Sequence, residues 1–101
     1  MVQGTRKIIW SVNAVEVKIN IFKYWNNRNK STVYSKKLDR IFKETLKRMT
    51  TFSEGSITTT YKNIRMVLVR DYYLIFEITD KAITVLDIWD TRQNPENFPI
   101  E

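Results

Sequence analysis

Near residue 50 the hydrophobic pattern switches from a helical period to a strand period, and few architectures accommodate that switch. Upstream, Tyr34, Leu38, Ile41, Phe42, Thr45, Leu46 and Met49 recur at steps of three and four residues, which puts them on one face of a helix. Downstream, "IRMVLV" (64–69), "YYLIFEIT" (72–79) and "AITVLDIW" (82–89) are rich in β-branched and aromatic residues. Only Arg70-Asp71 and Asp80-Lys81 separate them. Breaks that short join neighbouring antiparallel strands, so the second half predicts a meander. Its first strand alternates only weakly and is expected to be well buried.

The first half completes the pattern. "RKIIWS" (6–11) predicts a short strand. Asn13, with Glu16 three residues on, has the spacing of a capping box. Val15, Ile19, Phe22 and Trp25 or Asn26 then follow a helical period, with Ile21 and Tyr24 widening the apolar face. "NNRNKS" (26–31) interrupts it, and Ser31 is placed to cap the second helix. Two amphipathic helices with a short join predict an antiparallel hairpin. "ITTTY" (57–61) fits a short edge strand. The expected class is α+β, in the order β-α-α-β-β-β, with the hairpin over one face of the sheet. At 101 residues, 1–101 form one domain.

Composition removes several functions. There is no Cys and no His, so disulfides, thiolate chemistry and the usual proton shuttle are excluded, and no metal or cofactor is called for. No apolar run approaches the ~20 residues of a membrane span, and "MVQGTRKIIW" lacks the apolar core of a signal peptide. A cytoplasmic protein is the expectation. Lys plus Arg is 17 against 11 for Asp plus Glu, a net charge of +6. The excess is concentrated: residues 28–48 hold eight basic and two acidic side chains. Lys36, Arg40, Lys43 and Lys47 fall at i, i+4, i+7 and i+11, largely opposite the apolar stripe. Such a row is either a solvated helix face or a surface for a polyanion or an acidic peptide.

The order of elements, an opening strand ending in "WS", Ala14 and Glu16 entering the first helix, "IRMVLVRDYYLIFEI" and the closing "VLDIWDTRQNPENF" together resemble the RelE/ParE superfamily of bacterial type II toxins. The likeness spans nearly the whole chain. It implies the toxin half of a toxin–antitoxin pair, neutralised by a cognate antitoxin that wraps it with an acidic or amphipathic segment. RelE-like members are ribosome-dependent endoribonucleases acting on mRNA. ParE-like members resemble them in fold, poison DNA gyrase and have no hydrolytic centre.

Cleavage of RNA by its own 2′-hydroxyl requires a group to take a proton, a group to return one, and cations to hold the phosphorane. The resemblance puts Arg65 and Arg92 at positions of basic residues in RelE-like toxins, where a phosphate would lie between them, with Arg70 and Tyr73 as further candidates. Tyr73 stands where the family's "YRLVY"-like strand supplies an arginine. Phe98 stands six residues after Arg92, where a RelE-like tail places a tyrosine, and a phenyl ring cannot move a proton. Glu54 and Tyr61 are further groups able to do so. Alternatively, Arg65 and Arg70 pair with Asp87, Asp90 or Glu77 across strands, Asp90 and Arg92 pin the last strand, and Trp89 plugs the core or an edge. Pro95 is expected to stop the last strand and send the tail across the domain. The resulting expectation is a ParE-like toxin acting on gyrase, with a RelE-like nuclease and a catalytically decayed binding module as alternatives. Lys36, Arg40, Lys43, Lys47, Trp89, Arg92, Asn94 and Phe98 are the expected contacts to target or antitoxin.

Overall fold

The computed structural model describes residues 6–99. Strand β1 (Lys7–Trp10) leads directly into α1 (Val12–Asn29) and α2 (Val33–Thr51), and β2 (Ile57–Thr58), β3 (Ile64–Val69), β4 (Tyr72–Ile78) and β5 (Ala82–Asp90) follow. The sheet order is β1-β5-β4-β3-β2. All pairs are antiparallel except β1 with β5, which run parallel. The parallel pair is possible because the helical hairpin and strands β2 to β4 together form the long connection that a parallel pair requires. The expected α+β class and the hairpin over one face are both present, with β2 as the short edge strand.

The two expected two-residue turns form. Val69 pairs with Tyr72 across Arg70-Asp71, and Thr79 N–H donates to the Ala82 carbonyl at 2.9 Å across Asp80-Lys81. Arg70 takes a left-handed φ of 58° there. Between β4 and β5 the register slips, so that Ile75 faces Asp87 while Phe76 faces Val85. The bulge leaves Leu86 without a partner on β4. Its carbonyl instead accepts from the Ser11 hydroxyl at 3.3 Å and the Asn13 amide at 2.8 Å.

Those bonds correct the expected helix start. Ser11 is the N-cap, and its hydroxyl accepts from Ala14 N–H at 3.0 Å. Asn13 lies inside the helix, its side chain spent on the bulge, so the Asn13–Glu16 capping box does not form. Thr32 occupies the N-cap position of α2 without a side-chain cap bond, while the Ser31 hydroxyl accepts from Val33 N–H at 3.1 Å.

One core runs through the hairpin and the sheet face beneath it. Leu38, Phe42, Leu46 and Met49 of α2 meet Val67, Val69, Tyr72, Leu74, Phe76, Ile83, Val85 and Ile88. The α2 stripe is the expected one. On α1 the buried side passes through Ala14, with Val17, Ile21, Phe22 and Trp25 packed against the core, and Ile19 is left exposed. The sequence held two overlapping apolar lines, and small Ala14 lets the helix backbone approach β5. The first meander strand is also only half buried. Val67 and Val69 face the core, but Leu68 is 53% exposed on the opposite face. Near the far end of the hairpin, the Arg6 guanidinium donates to the carbonyls of Thr79 (2.7 Å) and Thr50 (2.8 Å), joining β4's exit to the end of α2.

Candidate functional site

Because the helices cover one face only, alternate residues of β3, β4 and β5 face away from the core. Leu68 lies beside Tyr73, and Tyr73 beside Trp89, in one row across the sheet. Ile57 beside Met66 beside Ile75 forms the next row. The tail folds back onto the first row. Phe98 packs edge-on against Trp89 (ring centroids 5.5 Å apart) and Tyr73 (6.2 Å). A shallow apolar hollow of about 240 Å³ opens between Met66, Tyr73, Trp89, Pro95 and Phe98. Ile57 remains 45% exposed. The open face therefore presents aromatic and aliphatic surface, with Trp89 on it rather than in the core. Asn94 organises the tail: its side-chain oxygen accepts from Glu96 N–H at 3.0 Å and caps a short helical turn that begins at Pro95. The strand ends at Asp90, one residue past the expected 82–89 and ahead of Pro95, where Thr91 N–H donates to the Asp71 carbonyl at 2.8 Å.

Arg92 goes to the other side. Its guanidinium donates twice to the Asp90 carboxylate (2.9 and 2.8 Å), and its backbone N–H donates to the same group at 2.9 Å. It also lies 5.6 Å from the Trp25 ring centroid. The Trp25 indole N–H in turn donates to the Tyr72 hydroxyl at 2.8 Å. Tyr72, Asp90 and Arg92, with Val17, Ile21, Tyr24 and Ile88, border a cleft of about 440 Å³ between α1 and the end of β5. Arg92 holds the Asp90 carboxyl below its ordinary range, chiefly through those hydrogen bonds and against the opposing effect of burial. Burial pushes the Tyr72 hydroxyl up, against the bond from Trp25. Because Asp90 is held low in the fold, the pair's stabilisation is complete above about pH 4 and vanishes as pH falls through the lowered value. Asp90→Asn should thus lower Tm at neutral pH by a margin worth about 1 kcal/mol or less. Thermal melts from about pH 7 down to about pH 2.5 should show that margin close, because a protonated Asp90 resembles asparagine. A margin that survives the acid end would assign the effect to packing.

The nuclease candidates do not converge. Arg65 donates from its guanidinium to the Ser56 hydroxyl and carbonyl at the β2 edge. The expected cross-strand ion pairs of Arg65 and Arg70 with Asp87, Asp90 or Glu77 are not formed among the described residues. Arg65 is level with Phe76, and Asp90 with Tyr72, on opposite sides of β4. Four residues of strand, about 13 Å, plus two strand spacings, about 10 Å, therefore separate Arg65 from the start of the Arg92 turn. No phosphate can be held between them in this arrangement. Arg70 sits in the β3–β4 turn, Tyr73 is packed against Phe98, Glu54 lies in a short helical turn after α2, and Tyr61 is exposed in the β2–β3 loop. Among the described residues no three His, Cys, Asp or Glu side chains converge to hold a metal ion.

Lys36, Arg40, Lys43 and Lys47 are exposed along the outer side of α2. Lys43 pairs with Asp39 at 3.0 Å, and Asp39 also faces Lys18 of α1 at 3.7 Å. The Lys18 ammonium lies 4.1 Å from the Trp10 ring centroid, so the strand-to-helix junction consumes one cation. Leu68, Ile57 and Met66 were missed as surface residues. The signal was present: with helices on one face only, every second residue of β3 must lie on the other.

No curated protein sequence matches the chain. Seven chains of solved structures do. One, described as the chromosomal ParDE TA system from P. aeruginosa, superposes with a TM-score of 0.72 over 87% of this chain and 98% of that chain at 13% identity, a likeness of fold. No helix of the described residues is long and apolar enough to cross a membrane. A family model described as the ParE toxin of the type II toxin-antitoxin system, parDE, matches residues 8–95, from β1 to the first residue of the tail's helical turn. The chain belongs to the ParE toxin family of type II toxin–antitoxin systems.

Proposed function

We propose that this toxin acts in the cytoplasm on DNA gyrase and is neutralised by a cognate antitoxin that covers the open face of the sheet. The observation that carries the reading is the make-up of that face. Tyr73, Trp89 and Phe98 pack together on it, and the arginines a nuclease would need are pinned elsewhere, Arg65 on Ser56 and Arg92 on Asp90. Apolar and aromatic surface of this kind anchors a protein partner. The exposed Ile57 and Leu68 extend the contact beyond the tail.

Two assays in parallel test the target. Purified toxin should inhibit gyrase supercoiling, and primer extension on mRNA from a translating extract should show no toxin-dependent cuts. Site-specific cuts that vanish with Arg92→Ala would overturn the gyrase reading in favour of a ribosome-dependent nuclease. A folded protein that binds its antitoxin yet is harmless when overexpressed alone would identify a decayed binding module instead.

A further inference from the structure

The charge of this protein is divided between its two layers. Residues 12–51, the two helices and their join, contain ten basic and three acidic residues, a net +7. The remaining residues contain seven basic and eight acidic ones, a net −1. The whole positive excess therefore sits on the hairpin. From Lys36 to Arg48, each exposed position of α2 is a cation except Glu44: Lys36, Lys37, Arg40, Lys43, Lys47 and Arg48. At 100° per residue, Lys36, Arg40, Lys43 and Lys47 fall within about 60° of one another, in a row about 16 Å long with steps of about 4.5 to 6 Å. Among the described residues only Lys43 of this set is in an ion pair.

We infer that the outer face of α2 binds the phosphate backbone of duplex DNA without reading sequence. A protein partner is the poorer fit. Protein interfaces are depleted in Lys and are anchored by buried aromatic or aliphatic side chains, and this face has none between Lys36 and Arg48. Flexible point charges on a rigid rod suit a row of phosphates instead, because each neutralised phosphate releases condensed counterions. The face lies on the layer opposite the apolar sheet surface, so one molecule has separate surfaces for protein and for DNA. The choice of DNA over another polyanion rests on the gyrase reading, since that target works on duplex DNA.

The test is fluorescence anisotropy with a labelled duplex of about 25 base pairs and scrambled sequence, titrated with the full-length toxin at several salt concentrations. Binding should weaken steeply with salt, by about 0.9 in log–log slope for each phosphate contacted. Replacing Lys36, Lys37, Arg40 and Lys47 together with Gln leaves the Lys43–Asp39 pair intact and keeps a good helix former at each position. That variant should bind at least about tenfold more weakly at low salt, with a slope shallower by about 3 to 4. Its circular dichroism should be unchanged. Replacing Lys7, Lys62 and Lys81 on the sheet layer with Gln should leave binding within about twofold. No binding by the parent protein, or equal loss from the two variants, overturns the inference. So does tighter binding of an RNA duplex of the same length, or of polyglutamate, which would assign the face to RNA or to an acidic protein. The assay contains no gyrase. Gyrase inhibition without DNA binding overturns this inference alone, and DNA binding without gyrase inhibition overturns the gyrase reading alone.

Discussion

Phe42→Ala should destabilise the protein by about 3 to 5 kcal/mol, lowering Tm by more than roughly 10 °C for a chain of this size. Phe42 is fully buried. Its ring stacks on Phe22 of α1 at 6.4 Å and meets Tyr72 of β4 edge-on at 6.0 Å. It is therefore the side chain through which both helices and the middle of the sheet touch. Truncation leaves a cavity that cannot collapse, because each wall belongs to a different rigid element. Ile19→Ala is the control. Ile19 is 44% exposed on the outer side of α1, and alanine is the better helix former, so its cost should stay below about 1 kcal/mol. Thermal or urea unfolding of both variants decides the matter. Equal costs would mean that α1 packs through the line containing Ile19, and the arrangement described here would be wrong.

That contrast also marks what could be read without coordinates. On α2 a single apolar line competes with charged positions all round, so period alone selected Leu38, Phe42, Leu46 and Met49. On α1 the expected line of Val15, Ile19, Phe22 and Trp25 or Asn26 is met in part: Phe22 and Trp25 pack on the core, while Ile19 is turned out. The sheet shifts the buried side toward Ala14, Val17 and Ile21, where small Ala14 permits close approach to β5. The meander was legible because its turns are two residues long and contacts follow sequence order. The parallel pairing of β1 with β5 was not, because it joins segments more than 70 residues apart through a crossover with no local signature. The Leu86 bulge was equally silent, and with it the reason Ser11 rather than Asn13 caps the helix. The candidate site was legible in part. Trp89 at the end of the last strand and Phe98 in the tail are expected contacts, but their union with Tyr73 depends on the tail folding back. Arg92 was grouped with them by proximity in sequence, yet Asp90 two residues earlier turns it to the helix side. An Asp-x-Arg at the exit of a strand is a cue for such a local clamp, since both side chains point the same way there.

The two layers make opposite demands on an interacting partner, and salt separates them. If the antitoxin covers the open sheet face, its affinity depends on burying Ile57, Leu68 and the tail aromatics. Leu68 is the position at which to test this. It is 53% exposed, so Leu68→Asp and Leu68→Lys should each change the stability of the free toxin by only about 1 kcal/mol. In the complex, either charge would be stripped of water against an apolar partner surface without a counter-ion. Calorimetric titration with the cognate antitoxin should show both variants binding at least about a hundredfold more weakly, or about 2.7 kcal/mol. The pair of opposite charges is the essential part of the design. An acidic antitoxin held by long-range attraction would be repelled by Asp and favoured by Lys, so the two variants would diverge. Desolvation penalises both alike. For the parent complex, raising salt from about 50 to about 500 mM should change affinity by less than about threefold, as expected for apolar contact. Unchanged binding by both Leu68 variants would move the antitoxin off this face. A steep loss of affinity with salt would move it onto α2, in direct competition with DNA.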